Sequence, residues 1–420
     1  MDSMLYWIWL SLSCTPASST FGLLWERFSS PVAIFEADEH DLKKCIGSRS
    51  KDLTALADKD LAPAQKMLEY CVKRKIGLLP FDHPRYPAAL REIETPPALL
   101  YYRGILPDFS SGIYISVVGT RRMSDYGKRN AFSVSHDLAL AGATVVSGMA
   151  FGIDAVAAAG AIHAGRPTVA VLGCGIDICY PKQHLTLARR IVKDGCILTE
   201  YPPGTSPMPY HFPQRNRIIS GLSVATVVIE GRQRSGSVIT ARYAKEQGRD
   251  VYALPGSVDS PLSEATTILL RNGAKPCSCA DDIIRDYEKT YIGKLNPFVL
   301  TTDLQYPVDE VLAQLQITHP KRKVKNRPHP QGIETDTAPT PPSDADCPTE
   351  QTEPAPEQLD ALDESAIAIY QAIPYGEEIA IEDLCDDTRN LRAVMRHLLR
   401  LEVAAFVTIL PGERVRRNFK

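Results

Sequence analysis

"YISVVGTRRMSDYG", residues 114–127, opens with five residues rich in Val and Ile, stops at Gly119, delivers Thr120, Arg121 and Arg122 into a loop, and then turns polar. A short run without a polar face, closed by glycine and followed by a helical pattern, reads as a strand buried in a parallel sheet. Five more such runs follow, four of them likewise ending at or just before a glycine: "GATVVSG" (142–148), "PTVAVLG" (167–173), "CILTEY" (196–201), "VATVVIE" (224–230) and "DVYALPG" (250–256). With helical patterns between most of them, they predict an α/β domain. Its expected architecture is a doubly wound and mostly parallel sheet ending near Glu288.

The flanks are of other material. "LLWERF", "VAIFEADEHDLKKCI" and "LAPAQKMLEYCVKRK" place apolar residues three and four apart, so residues 1–75 predict a small helical N-terminal domain. The proline-rich "LLPFDHPRYPAALREIETPPALLYYRG" (78–104) reads as a connector at the start of the α/β domain, 76–288. Residues 289–360 read as an extension and linker: "HPKRKVKNRPHP" is basic, the acidic stretch after it is almost free of aliphatic residues, and such a chain buries too little surface to offset its ordering entropy. In 361–420, "DESAIAIYQAI", "AIEDLC" and "TRNLRAVMRHLLRLE" suggest three helices, and "VAAFVTILPGERVRRN" two strands about Pro411-Gly412. Together they predict a winged-helix domain whose third helix aligns Arg389, Arg392, Arg396 and Arg400.

Bulk composition narrows the function classes. A formal net charge of -3 excludes a wholly basic coat protein, so any polyanion site is local. The ten cysteines lack paired CxxC blocks, and the close pair Cys277 and Cys279 has no second pair nearby; reduced thiols and no metal are expected. No apolar run reaches the length of a membrane span, and "MDSMLYWIWLSLSC" carries Asp2 where a signal peptide would be basic. A buried first helix, a cytoplasmic location and no membrane partner are the expectation.

The chemistry gathers at the strand ends. Gly119 permits a tight turn that sets Arg121 beside helix N-terminal amides, where anions bind. Gly148 and Gly152 follow the second strand, with Asp154 a candidate N-cap; Gly173, Gly175 and Lys182 follow the third. In "HFPQRNRII" (211–219), Asn216 reads as the N-cap of a short helix flanked by Arg215 and Arg217. Two readings of these arginines stand open: an anion contact, or an ion pair with Glu200 or Glu230 that braces the sheet. Arg232 and Arg234 precede Ser235-Gly236-Ser237, which can cap the next helix, and Phe212 or Tyr210 can stack on a base. No HExxH, G-x-S-x-G, Walker A or G-x-G-x-x-G pattern occurs, so no catalytic residue, cofactor or enzyme activity is expected.

"VVGTRRMSDYG", "VVSGMAFGIDA", "VAVLGCGIDICYP", "EYPPGTSPMPYHFPQRNRIISGLS", "RSGSVITA" and "GRDVYALPGS", in this order, resemble the DNA-processing protein A (DprA/Smf) family. The resemblance implies a Rossmann-like fold, preceded by a small helical domain of SAM or helix-hairpin-helix-like type, in a homodimer that binds single-stranded DNA, protects it in natural transformation and helps load the RecA recombinase onto strands coated by single-strand-binding protein. It maps the family's G-S-R loop to Gly119, Thr120 and Arg121, its post-Tyr-Pro lysine to Lys182, and F-P-x-R-N-R to Phe212, Pro213, Arg215, Asn216 and Arg217. Ala158 stands where members often have histidine, Ala265 and Thr267 replace a usual Gly and Asn, and "CTPASST" lacks the G-x-G turn of a helix-hairpin-helix. The rival expectation is a nucleotide-binding or nucleotide-hydrolysing Rossmann-fold enzyme, and a duplex-binding regulator acting through 361–420 is a third.

Overall fold

The computed structural model describes residues 2–296, 306–317, 364–374, 378–384, 394, 397–398, 401, 407–410 and 414–417. The chain divides into two compact units, Met1–Lys325 and Asn326–Lys420.

The first unit begins with α1 (Asp2–Ser13), α2 (Thr20–Phe28), α3 (Pro31–Glu36), α4 (Glu39–Ile46), α5 (Leu53–Ala57) and α6 (Ala62–Lys73). Trp7, Ile8, Trp9 and Leu10 bury α1 on nearly every side. These helices share one hydrophobic core with the sheet that follows: the Phe81 ring meets Phe21 and Trp25 with centroids 5.2 Å away in each case, and the Ser11 and Tyr101 hydroxyls are 2.9 Å apart.

The proline-rich stretch is not only a connector. It holds β1 (Gly77–Pro80), α7 (Ala88–Arg91) and β2 (Leu99–Gly104), an antiparallel hairpin whose β1 is the sheet edge, where Pro80 forfeits no ladder bond. The six Val- and Ile-rich runs then form strands, each followed by a helix: β3 (Tyr114–Val118), α8 (Asp125–Leu140), β4 (Thr144–Ser147), α9 (Ile153–His163), β5 (Thr168–Val171), α10 (Leu185–Asp194), β6 (Cys196–Thr199), α11 (His211–Gly221), β7 (Ala225–Val228), α12 (Gly236–Glu246), β8 (Asp250–Ala253) and α13 (Glu264–Arg271). β9 (Lys275–Pro276) and α14 (Ala280–Tyr287) complete the domain, and α15 (Val308–Gln314) packs on α8 and α9.

The strand order is β1-β2-β6-β5-β4-β3-β7-β8-β9, with β6 to β9 parallel and β2 antiparallel to β6. All residues of β3, β5, β6 and β7 are buried, as helices on both faces require. The first strand of the parallel set, β3, lies between β4 and β7, so successive crossovers leave it in opposite directions. That is the switch point of a doubly wound sheet, where a crevice opens at the carboxyl ends of the strands.

The second unit holds α16 (Glu364–Ala372) and a three-stranded antiparallel sheet, β10 (Glu378–Ala380), β12 (Arg414–Arg417) and β11 (Val407–Leu410) in spatial order. Ile369, Tyr370, Ile373, Val407 and Val415 are in its core. "AIEDLC", expected as a helix, ends a strand at Ala380 and continues as a 3-10 turn over Ile381–Leu384, because β10 is drawn into pairing with β12. Arg389, Arg392, Arg396, Arg400, Pro411-Gly412 and the linker residues 318–360 lie outside the described residues. Among the described residues no helix is long and apolar enough to cross a membrane.

The alanine-rich α9 lets α8 approach closely. A Cβ on Gly160 would lie 2.5 Å from the Phe132 carbonyl oxygen. Gly160→Val should therefore overpack this contact and lower stability by about 1–3 kcal/mol, read as a lower melting temperature by calorimetry. An unchanged melting point would contradict the packing described.

Candidate functional site

A cleft of about 330 Å³ opens at the switch point, between the loop after β3, the start of α9, α11 and the start of α12. Of the residues singled out in the sequence, Gly119, Thr120, Arg121, Phe212, Arg215, Asn216, Ser235, Gly236 and Ser237 line it, whereas Gly148, Gly152, Lys182 and Arg217 do not.

The floor is built from buried charges. Arg215 is 3% exposed; its Nη1 donates to the carbonyls of Gly148 (3.0 Å) and Val171, at the ends of β4 and β5, and its Nε donates to Asn216 Oδ1 at 3.2 Å. Burial pulls its guanidinium down to about 10, opposed by the charge of Asp154, so it remains a cation at neutral pH. Burial in turn raises the Asp154 carboxyl, against the pull of Arg215 and Arg121, and the Gly148 N–H donates to its Oδ2 at 3.1 Å. A Cβ on Gly148 would lie 2.5 Å from Arg215 Nη2, which explains a glycine there. Gly152 has φ 78° and would place a Cβ 2.3 Å from the Thr120 carbonyl oxygen, so the 119–121 loop rests directly on it. Both glycines thus support the cleft from outside its lining.

Arg217 is equally buried and turns the other way. It pairs with Glu200 through both terminal nitrogens, at 2.8 and 2.6 Å, and its Nε donates to Thr95 Oγ1 at 3.0 Å. This is the bracing arrangement, so neither arginine of "RNR" is exposed on a groove wall as an anion contact would need. Glu230 accepts instead from the Ser124 hydroxyl and N–H at the start of α8.

The helix also starts earlier than its cap chemistry suggested. α11 begins at His211 with Pro213 in its first turn, where the missing N–H costs nothing. Asn216 is consequently interior to the helix, and its Nδ2 donates to the Gly236 carbonyl at 3.2 Å, tying α11 to the N-terminus of α12. Asp154 sits within the first turn of α9 behind Gly152, not at its N-cap. Ser235 is the residue before α12, but its hydroxyl meets that of Ser237 at 2.6 Å and caps no amide.

The mouth is aromatic and cationic. The Arg121 guanidinium lies over the Phe212 ring at 5.2 Å, and Phe212 packs on Tyr180 with centroids 5.2 Å apart. Tyr180 is 37% and Tyr210 58% exposed. Arg121, Arg122, Lys182, Arg232 and Arg234 are exposed, and among the described residues none has an ion-pair partner. Lys182 opens a 3-10 turn (Lys182–His184) two residues beyond Tyr180, outside the cleft lining. Among the described residues no three His, Cys, Asp or Glu side chains cluster as a metal-ligand set.

Behind that turn, His184 is fully buried; its Nδ1 contacts the Met149 carbonyl at 3.0 Å and its Nε2 has no partner. Burial lowers its imidazole below the ordinary range. The unfolded imidazole titrates near ~6.5, so at lower pH the unfolded chain holds the extra proton, and the stability present above that value declines as the solution is acidified. His184→Gln should flatten the stability profile between about pH 7 and 5 in denaturant titrations; a profile as steep as that of the parent chain would argue against a neutral buried imidazole. Arg217→Ala should cost about 3–5 kcal/mol by stranding Glu200, measured in the same titrations.

These features have relatives. The family model described as DNA recombination-mediator protein A matches residues 77–288. The chain is 39% identical over 223 residues to the DNA processing protein DprA of Bacillus subtilis, covering 53% of this chain and 75% of that one. It is 41% identical over 251 residues to Protein Smf of Synechocystis, covering 58% and 61% respectively. Among solved structures, the X-ray structure of DNA processing protein A from Streptococcus pneumoniae superposes with a TM-score of 0.57 at 34% identity, covering 64% of this chain and 92% of that one.

Proposed function

The chain belongs to the family of DNA recombination-mediator protein A (DprA/Smf), and on that premise we propose that it binds single-stranded DNA through the switch-point cleft, without turning it over. The observation that carries the proposal is the Arg121–Phe212–Tyr180 stack at the mouth of the cleft. A cation beside a half-buried ring, with the exposed rings of Tyr180 and Tyr210 next to it, serves a strand whose bases are free: phosphates meet the exposed arginines and unpaired bases lie on aromatic faces, which a duplex cannot offer. Ser235, Gly236 and Ser237 at the start of α12 add N-terminal amides for a phosphate. In this reading Arg121, Lys182 and the neighbouring Arg122, Arg232 and Arg234 are the phosphate contacts, and Arg215, Asn216 and Arg217 hold the cleft in shape.

The role in the cell follows as the finer part of the proposal: protection of incoming strands during natural transformation, and loading of RecA, as a homodimer, onto strands covered by single-strand-binding protein. The Asp154 carboxylate supports binding over hydrolysis, since it is committed to the Gly148 N–H and to the charge of Arg215 instead of standing free to act on a sugar.

Fluorescence anisotropy with a labelled oligo-dT across a salt series tests the binding. Replacing Arg121 and Lys182 with Ala should weaken it and remove roughly 0.7 from the salt slope for each lost contact. Phe212→Ala should cost ~1–3 kcal/mol with the slope preserved. Unchanged affinity and slope in both variants would overturn the assignment, and release of base or sugar products from oligonucleotides or nucleoside monophosphates would favour the enzymatic rival.

A further inference from the structure

A second cavity, of about 580 Å³, shares no lining residue with the switch-point cleft. It lies between α10, the end of β2, the residues just past α6 and the loop after β5. Its interior is aliphatic: Leu172 and Ile176 are buried, Val192 and Ile197 contribute from α10 and β6, and Leu185, 44% exposed, extends the apolar surface to the rim. Arg74, Lys75, Arg103 and Arg189 also line it, and among the described residues none of the four has an ion-pair partner. The rim is partly fixed, because Arg103 Nη2 donates to the Arg74 carbonyl at 3.3 Å. The single lining carboxylate, Asp177, is occupied by the Tyr70 hydroxyl and the Gly204 N–H, both at 2.8 Å.

Four cations without ion-pair partners, set against the one negative charge of Asp177, leave a net positive rim around an aliphatic trough, which favours a ligand that is anionic and greasy at once. A nucleic-acid strand satisfies only the first condition, because the cavity has no aromatic lining residue on which a base could stack. We propose that this groove docks a short acidic segment of a partner protein, its carboxylates meeting Arg74, Lys75, Arg103 and Arg189 while an apolar side chain enters between Val192 and Ile197.

The probe is a fluorescein-labelled peptide of four aspartates followed by Leu-Phe, titrated with the full-length protein by anisotropy. Saturable binding is expected, with affinity lowered roughly tenfold or more by the double variant Arg74→Glu/Arg189→Glu, and several-fold by Leu185→Ser. A control peptide ending in Gly-Gly should bind much more weakly, and oligo-dT affinity should be unaffected by the double variant. Arg74 and Arg189 are exposed, so the melting temperature checks the fold, and Arg74→Gln/Arg189→Gln replaces the reversal if it is lost. Absence of saturable peptide binding, equal binding of the Gly-Gly control, or insensitivity to the charge variants would overturn the proposal. So would parallel loss of oligo-dT affinity with displacement of the peptide by oligo-dT, which would make the groove a nucleic-acid surface.

Discussion

A guanidinium buried under the carboxyl edge of a parallel sheet sets the terms for everything around it. Arg215 reaches from α11 to the carbonyls that end β4 and β5 and faces the carboxylate of Asp154 at the start of α9. Two helices and two adjacent parallel strands are thereby held at fixed spacing. An uncompensated charge in that position would cost several kcal/mol, so Asp154, Gly148 and Arg215 stand or fall together. The glycine is part of the same constraint: a side chain at residue 148 would occupy the space of the guanidinium. Two residues further along α11, and so on its other side, Arg217 repeats the device with Glu200 and Thr95, locking the helix to the end of β6 and to the segment before β2.

Because the buried arginines are spent on structure, the cleft's surface chemistry falls to other side chains. Arg121 is carried on a loop resting on Gly152, and the Phe212 ring beneath its guanidinium projects from the first turn of the helix that Arg215 anchors. The positions of cation and ring are therefore consequences of the buried network, so that a ligand of the kind proposed would meet a preorganised surface. The chain as a whole is weakly acidic, yet Arg121, Arg122, Lys182, Arg232 and Arg234 stand exposed on the loops and turns around the sheet opening. Local placement, not net charge, decides what the protein attracts.

Much of the fold was legible in the sequence for a specific reason. Strands buried on both faces must be continuous Val- and Ile-rich runs, and helices crossing back must separate them, so β3 to β8 announce themselves. The hairpin β1–β2 did not, because prolines at its turns and an edge position free of ladder demands hide its strands within a connector-like composition. The site was legible as a set of loops: residue type and position after a strand brought Gly119, Arg121, Phe212 and Ser235 to one crevice. Burial was not. Arg215 and Arg217 look alike in "HFPQRNRII", and only the fold reveals that Glu200 and the ends of two strands wait for them. The N-cap assigned to Asn216 failed for a related reason, since local cap preference was overridden by a helix that starts at His211 and uses the amide to hold α12.

On the two proposals made for them, cleft and groove would use similar cations for different ligands. In the cleft a guanidinium lies on an aromatic ring, a surface that rewards planar bases and tolerates any sequence, since every base has a π-face. In the groove the cations ring aliphatic side chains, which offer no stacking gain but take up a branched or aromatic side chain released from water. Coulomb attraction alone would draw a polyanion to either place and would weaken with salt at both. The floors supply the discrimination: at the groove a strand would keep its bases in water, and at the cleft an acidic peptide would leave the ring surface without a planar partner. The two linings share no residue, so if both proposals hold, the two ligands would be told apart by what lies beneath the cations and not by the cations themselves.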